Sequence, residues 1–127
     1  VTKLDACNGK LAVAGFCWGG TQTFAFAADR KGLKAACVFY GSAPKEDALA
    51  KIESPVYGFY GENDSRITST VAATAETAKK LGKSFEPVIY EGAGHGFMRS
   101  GEAPDASEAN RRAREAAWIR LKKILGG

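Results

Sequence analysis

The 127-residue sequence predicts an α/β fold, a parallel sheet of about four strands flanked by helices, in one domain over residues 1–127. Three observations predict it. Four short apolar runs stand at residues 11–16, 35–40, 56–60 and 85–90. Segments with helical spacing separate them, and glycines follow several of the runs directly. The first three runs are nearly continuous in apolar character, as strands buried on both faces are. Strand and helix alternating four times means parallel strands joined by right-handed crossovers.

The elements follow in chain order. Residues 1–10 are polar and carry an Asn8-Gly9 turn signal, so they read as the tail of a preceding element. After the first strand, residues 21–29 place Phe24, Ala27 and Ala28 on one helical face, with Gly32 as a stop. Residues 45–52 are a weak helical turn ended by Pro55. Residues 69–81 carry Val71, Ala75, Ala78 and Leu81 at helical spacing, with Gly82 just past the end. The fourth run holds Glu86 and Pro87 in its first half; proline donates no ladder hydrogen bond, so this strand belongs near an edge. In the last segment Asp105 is a candidate cap with Glu108 three residues on. Ala109, Ala113, Ala116, Leu121 and Ile124 form its apolar stripe. Arg111, Arg112, Arg114, Arg120, Lys122 and Lys123 read as its solvated face.

Composition narrows the function classes. With 45% hydrophobic and 25% charged residues the chain builds a core, which excludes intrinsic disorder. No apolar stretch reaches the roughly 18 residues of a membrane helix, so no membrane partner is expected. A net charge of +4, spread apart from one C-terminal concentration, does not make a nucleic-acid footprint. Three cysteines, Cys7, Cys17 and Cys37, and one histidine give neither a disulfide framework nor a ligand set, so no metal is expected. A reducing, cytoplasmic compartment fits. Cys37 lies inside the second run as a buried structural thiol, and Cys7 reads as a free exposed one. The chain begins at Val1, which fits a processed chain or a piece of a longer protein.

The chemistry concentrates after the strands. Gly15-Phe16-Cys17-Trp18-Gly19 has the form G-x-C-x-G between a strand and a helix, a nucleophile elbow with Cys in the place of Ser. Glycines two before and two after the nucleophile are expected to avoid collision with backbone at a sharp turn. A thiol at a helix N-terminus meets free N–H groups that favour thiolate. The N–H of Trp18 is the candidate oxyanion donor. Its side chain lines an acyl pocket or packs in the core. Trp118 is expected in the core or an interface. Asp64 follows the third run in Tyr60-Gly61-Glu62-Asn63-Asp64, and His95 follows the fourth in Gly92-Ala93-Gly94-His95-Gly96-Phe97. Nucleophile, acid and base thus fall after strand C-termini, the rim where open α/β sheets bind ligands. Glu62 and Asn63 are expected to shape the acid loop.

These motifs, with Gly20, resemble those of the dienelactone hydrolases, or carboxymethylenebutenolidases. The resemblance covers the whole chain but only the C-terminal half of that family's α/β-hydrolase domain, so residues 1–127 are a partial domain. It implies a hydrolase of lactones or carboxylic esters, with Cys17 as nucleophile, His95 as base, Asp64 as its orienter and an acyl-enzyme, needing no cofactor. It also implies that Arg99, four residues beyond His95, binds a substrate carboxylate. The family's N-terminal half supplies more strands, the second oxyanion donor, another arginine and a glutamate that meets the cysteine. The strand starting at Leu11 therefore has an open far side, which predicts a partner: a homo-oligomer or a separate N-terminal fragment. The alternative is a self-associating half-domain with little or no activity.

Overall fold

The computed structural model describes residues 2–126. Its strands are β1 (Ala12–Phe16), β2 (Ala35–Phe39), β3 (Val56–Gly61) and β4 (Phe85–Tyr90). They form one sheet in the order β1-β2-β3-β4, and every neighbouring pair is parallel. Helix α1 (Trp18–Asp29) follows β1, and the short α2 (Glu46–Leu49) follows β2. After β3 come α3 (Ser65–Thr68) and α4 (Val71–Lys80), and after β4 come α5 (Phe97–Ser100) and α6 (Glu108–Gly126). All four strands point the same way, so the segments leaving them share one rim.

Helices cover both faces because β2 is apolar at every position. Ala36 and Val38 pack with Phe24 and Ala27 of α1, Leu49 of α2 and Ala78 of α4. Ala35, Cys37 and Phe39 face the other way, onto Phe97 and Met98 of α5 and Ala113, Ala117 and Leu121 of α6. Each large side chain buried this completely contributes about 1.5–3 kcal/mol. On the α6 face Phe16, Phe39 and Phe59 stack in register across β1, β2 and β3, at centroid spacings of 4.4 Å and 4.1 Å. Arg120 lies over the end of that row, 4.4 Å from the Phe59 ring, and donates to the carbonyls of Gly58 and Glu86.

Several sequence expectations change. Among the described residues β1 pairs with β2 alone, as the open far side expected at Leu11 implies, but the first run is not buried on both faces: Phe16 is 43% exposed. β4 is the other edge, as Pro87 predicts, with Pro87 opposite Gly58. Helix α1 begins at Trp18, directly against Cys17, rather than at residue 21. The 69–81 helix starts at Val71, because α3 occupies the preceding turn. Ala117, not Ala116, carries the α6 stripe, since spacing from Ala113 to Leu121 puts position 117 inward. Ser107 rather than Asp105 caps α6: its Oγ accepts from the Asn110 N–H at 3.2 Å. Two of the bases assigned to a solvated face are half-buried, Arg114 and Arg120.

Candidate active site

The elbow is built by backbone constraint. Cys17 has φ 60° and ψ −124°, a conformation that L-residues rarely adopt. It is held there from both sides: its N–H donates to the Phe39 carbonyl of β2 at 3.1 Å, and its own carbonyl accepts from Gly20 and Thr21. The turn demands glycine at two places. A Cβ on Gly15 would lie 2.0 Å from the Gly19 carbonyl oxygen, and one on Gly20 would lie 2.6 Å from that of Phe39. Gly19 departs from expectation, since a Cβ there meets nothing within 4 Å. The collision is between the strand residue and the helix backbone, not at position 19 itself.

Asp64 and His95 are delivered by two loops tied to each other. Asp64 is buried at the start of α3, where its carbonyl accepts from Ile67 and Thr68. A Cβ on Gly61 would lie 2.5 Å from the Ala93 carbonyl, so glycine there allows the acid and histidine loops to touch. Glu62 accepts from the Gly92 N–H at 2.8 Å, and the Asn63 amide donates to the Gly92 carbonyl at 3.1 Å. These two residues shape the loops, as expected from their positions. Asn110 of α6 accepts from the Gly94 N–H at 3.0 Å, a tie that nothing in its local sequence announces. Gly96, at φ 74°, then turns the chain into α5.

The three side chains meet. Cys17 Sγ lies 2.8 Å from His95 Nε2, and His95 Nδ1 lies 2.5 Å from Asp64 Oδ2. The hydrogen bond with His95 lowers the pKa of the exposed Cys17 thiol; slight desolvation opposes it, and the Trp18 N–H and the positive charges of His95 and Arg66 add to the lowering. Burial alone pulls the His95 pKa down, but hydrogen bonds to Asp64 and Cys17 and their negative charge outweigh it, so the net shift is upward. Both shifts favour a thiolate beside an imidazolium. Cys37, by contrast, is buried among apolar side chains, and its thiol pKa is pushed up to about 11.

Tyr40, at φ 41° just past β2, closes the floor of this site. Its ring meets His95 edge-on at 5.1 Å. Burial, then the Cys17 charge, push its phenol up to about 12, against a hydrogen bond from the Met98 backbone. A cavity of about 770 Å³ opens beside Cys17 and His95, walled also by Tyr40 past β2, Arg99 on α5, and Arg114 and Trp118 on α6. Arg99 therefore faces the space that Cys17 faces. Trp118 is 40% exposed on that wall rather than in the core, and the Trp18 side chain is 76% exposed. Tyr40, Asn110, Arg114 and the cavity role of Trp118 were missed by motif reading, because each acts through a contact distant in sequence. Among the described residues no group of three or more His, Cys, Asp or Glu side chains is placed to hold a metal ion.

The model of the dienelactone hydrolase family matches residues 1–127. The chain belongs to the dienelactone hydrolase family. It is 35% identical over 103 residues to the "Putative carboxymethylenebutenolidase" of Methylorubrum extorquens, covering 72% of this chain and 35% of that protein. It is 30% identical over 126 residues to the "Carboxymethylenebutenolidase" of Pseudomonas sp. (strain P51), covering 93% of this chain and 50% of that one. Among solved structures, the "Putative Dienelactone Hydrolase" from Klebsiella pneumoniae subsp. pneumoniae superposes with a TM-score of 0.81 at 28% identity, over 96% of this chain and 54% of the other. The chain thus spans half or less of the length of these two curated relatives.

Proposed function

We propose that this chain acts in the hydrolysis of a lactone or carboxylic ester through Cys17, His95 and Asp64. The observation that carries this reading is the unbroken line of contacts from sulfur to imidazole to carboxylate, 2.8 Å and 2.5 Å. The Cys17 thiolate adds to the acyl carbon and pushes the carbonyl electrons onto oxygen. The Trp18 N–H at the head of α1 donates to that oxyanion. The tetrahedral centre collapses with loss of the alkoxide, which takes its proton from the His95 imidazolium, and leaves a thioester on Cys17. Neutral His95 then takes a proton from water as the hydroxide attacks the thioester, and sulfur leaves as thiolate. Asp64 holds the ring through Nδ1 and stabilises the imidazolium each time it forms. Arg99 binds a carboxylate carried by the substrate through charge-assisted hydrogen bonds. No cofactor enters these steps.

Family membership and the cavity beside Cys17 support this reading over an inactive half-domain. The open edge of β1, with Phe16 exposed at its end, supports a second copy or a further segment of the fold pairing there. Among the described residues no helix is long and apolar enough to cross a membrane. The test is Cys17→Ala with an acidic aryl ester as substrate, read by product release and by mass of the protein. The active protein should accumulate an acyl adduct on Cys17 under rapid quench, and Cys17→Ala should show neither adduct nor turnover. Hydrolysis surviving in Cys17→Ala would reject the proposal.

A further inference from the structure

The α6 wall of the cavity holds a group that the chemistry above does not use. Arg114 projects from α6 with its guanidinium carbon 5.7 Å from the centre of the Trp118 ring, one helical turn further on. Its side chain is 23% exposed, and its one ion pair among the described residues is with Glu102 at 3.4 Å. Glu102 is 72% exposed and sits in the turn after α5. No carbonyl or side-chain oxygen among the described residues accepts a hydrogen bond from the Arg114 guanidinium. Arg120, six residues further along α6, instead donates to the Gly58 and Glu86 carbonyls. Arg114 is thus a largely buried fork beside an aromatic ring, and it lines the space that Cys17 and Arg99 also line. A planar guanidinium so placed matches a carboxylate in two-point geometry.

We propose that Arg114, seated on Trp118, is a second carboxylate-recognition residue of this cavity, and that the ligand's carboxylate displaces Glu102 from it. The exposed face of Trp118 beside the fork favours a ligand whose carboxylate is borne on a planar unsaturated or aromatic body. Glu102 acts as an internal competitor: it occupies the fork when the cavity is empty and returns to water when the ligand binds. An ion pair at 3.4 Å whose carboxylate is largely in water contributes little, so an incoming carboxylate with better geometry exchanges with it readily.

The inference rests on the cavity being the substrate site, and two readouts separate its failure from failure of that reading. The first is equilibrium binding of an aromatic carboxylate to the Cys17→Ala protein by calorimetry. The second is the ratio of kcat/KM for an acidic aryl ester to that for its neutral methyl ester. Arg114→Gln should weaken carboxylate binding and lower the ratio by about tenfold, the scale of a lost charge-assisted hydrogen bond. Glu102→Gln should move both the opposite way. Arg114→Lys should recover only part of the loss, because an ammonium keeps the charge but not the fork. Binding and a ratio unchanged in Arg114→Gln would overturn the inference, and so would an Arg114→Lys protein equal to the unmodified one, which would reduce Arg114 to bulk charge. If no ester is hydrolysed but carboxylate binding still depends on Arg114, the recognition site stands and the hydrolase reading falls.

Discussion

Cys17 holds a strained backbone conformation, so Cys17→Gly should be more stable than Cys17→Ala, and neither should hydrolyse ester. Two variants isolate the effect. Cys17→Ala and Cys17→Gly both delete the thiol and its contact with His95, so they differ chiefly in the Cβ. Cys17 holds φ 60° and ψ −124°. A non-glycine residue in so sparse a region costs about 1–3 kcal/mol. Glycine relieves that strain but adds freedom to the unfolded chain, at a cost of about 0.4–1 kcal/mol. The difference leaves Cys17→Gly more stable than Cys17→Ala by about 1 kcal/mol. In a domain of this size that is about 4 °C in melting midpoint. In urea it is a shift of about 0.5 M at unchanged slope. The assay is paired thermal and urea unfolding of the two variants followed by circular dichroism. A Cys17→Ala protein as stable as Cys17→Gly would show that the elbow is unstrained.

Two further outcomes follow from the same site. Gly19→Ala should be tolerated and should stabilise α1 by about 0.5–1 kcal/mol in unfolding assays, because its Cβ meets nothing within 4 Å. Gly15→Ala, whose Cβ would lie 2.0 Å from the Gly19 carbonyl oxygen, should destabilise the protein and abolish activity, and equal behaviour of the two variants would contradict the structure. The second outcome concerns pH. Lowering of the Cys17 pKa means that its thiolate is lost only as pH falls through that lowered value. Raising of the His95 pKa means that the imidazolium is lost as pH climbs through the raised one. Alkylation of Cys17 should therefore turn on below the ordinary thiol range, and the ester-hydrolysis profile should be bell-shaped. In His95→Ala the alkylation midpoint should move upward; an unmoved midpoint would remove His95 as the cause.

Much of the fold was legible because the signals are local. The runs at 35–40 and 85–90 carry their burial in composition and in Pro87, and β2 and β4 lie where those features predict. The short helices α3 and α5 were not legible, because four residues are too few to show a period. The doubly buried reading of β1 failed because apolar composition records what a strand is suited to, whereas burial depends on which neighbours are there to cover it.

Residue identity and order determined the candidate chemistry. A cysteine between glycines after one strand, an acid after the third and a lone histidine after the fourth can be read without coordinates, since turn sterics and strand direction are properties of short segments. Tertiary packing alone decided the rest: that Gly15 and Gly20 rather than Gly19 are sterically required, that Tyr40 and Asn110 support the histidine loop, and that Arg114 and Trp118 wall the cavity. Those facts are distances between residues remote along the chain. Such distances are set by how α5 and α6 settle on the sheet, and no short window of sequence contains them.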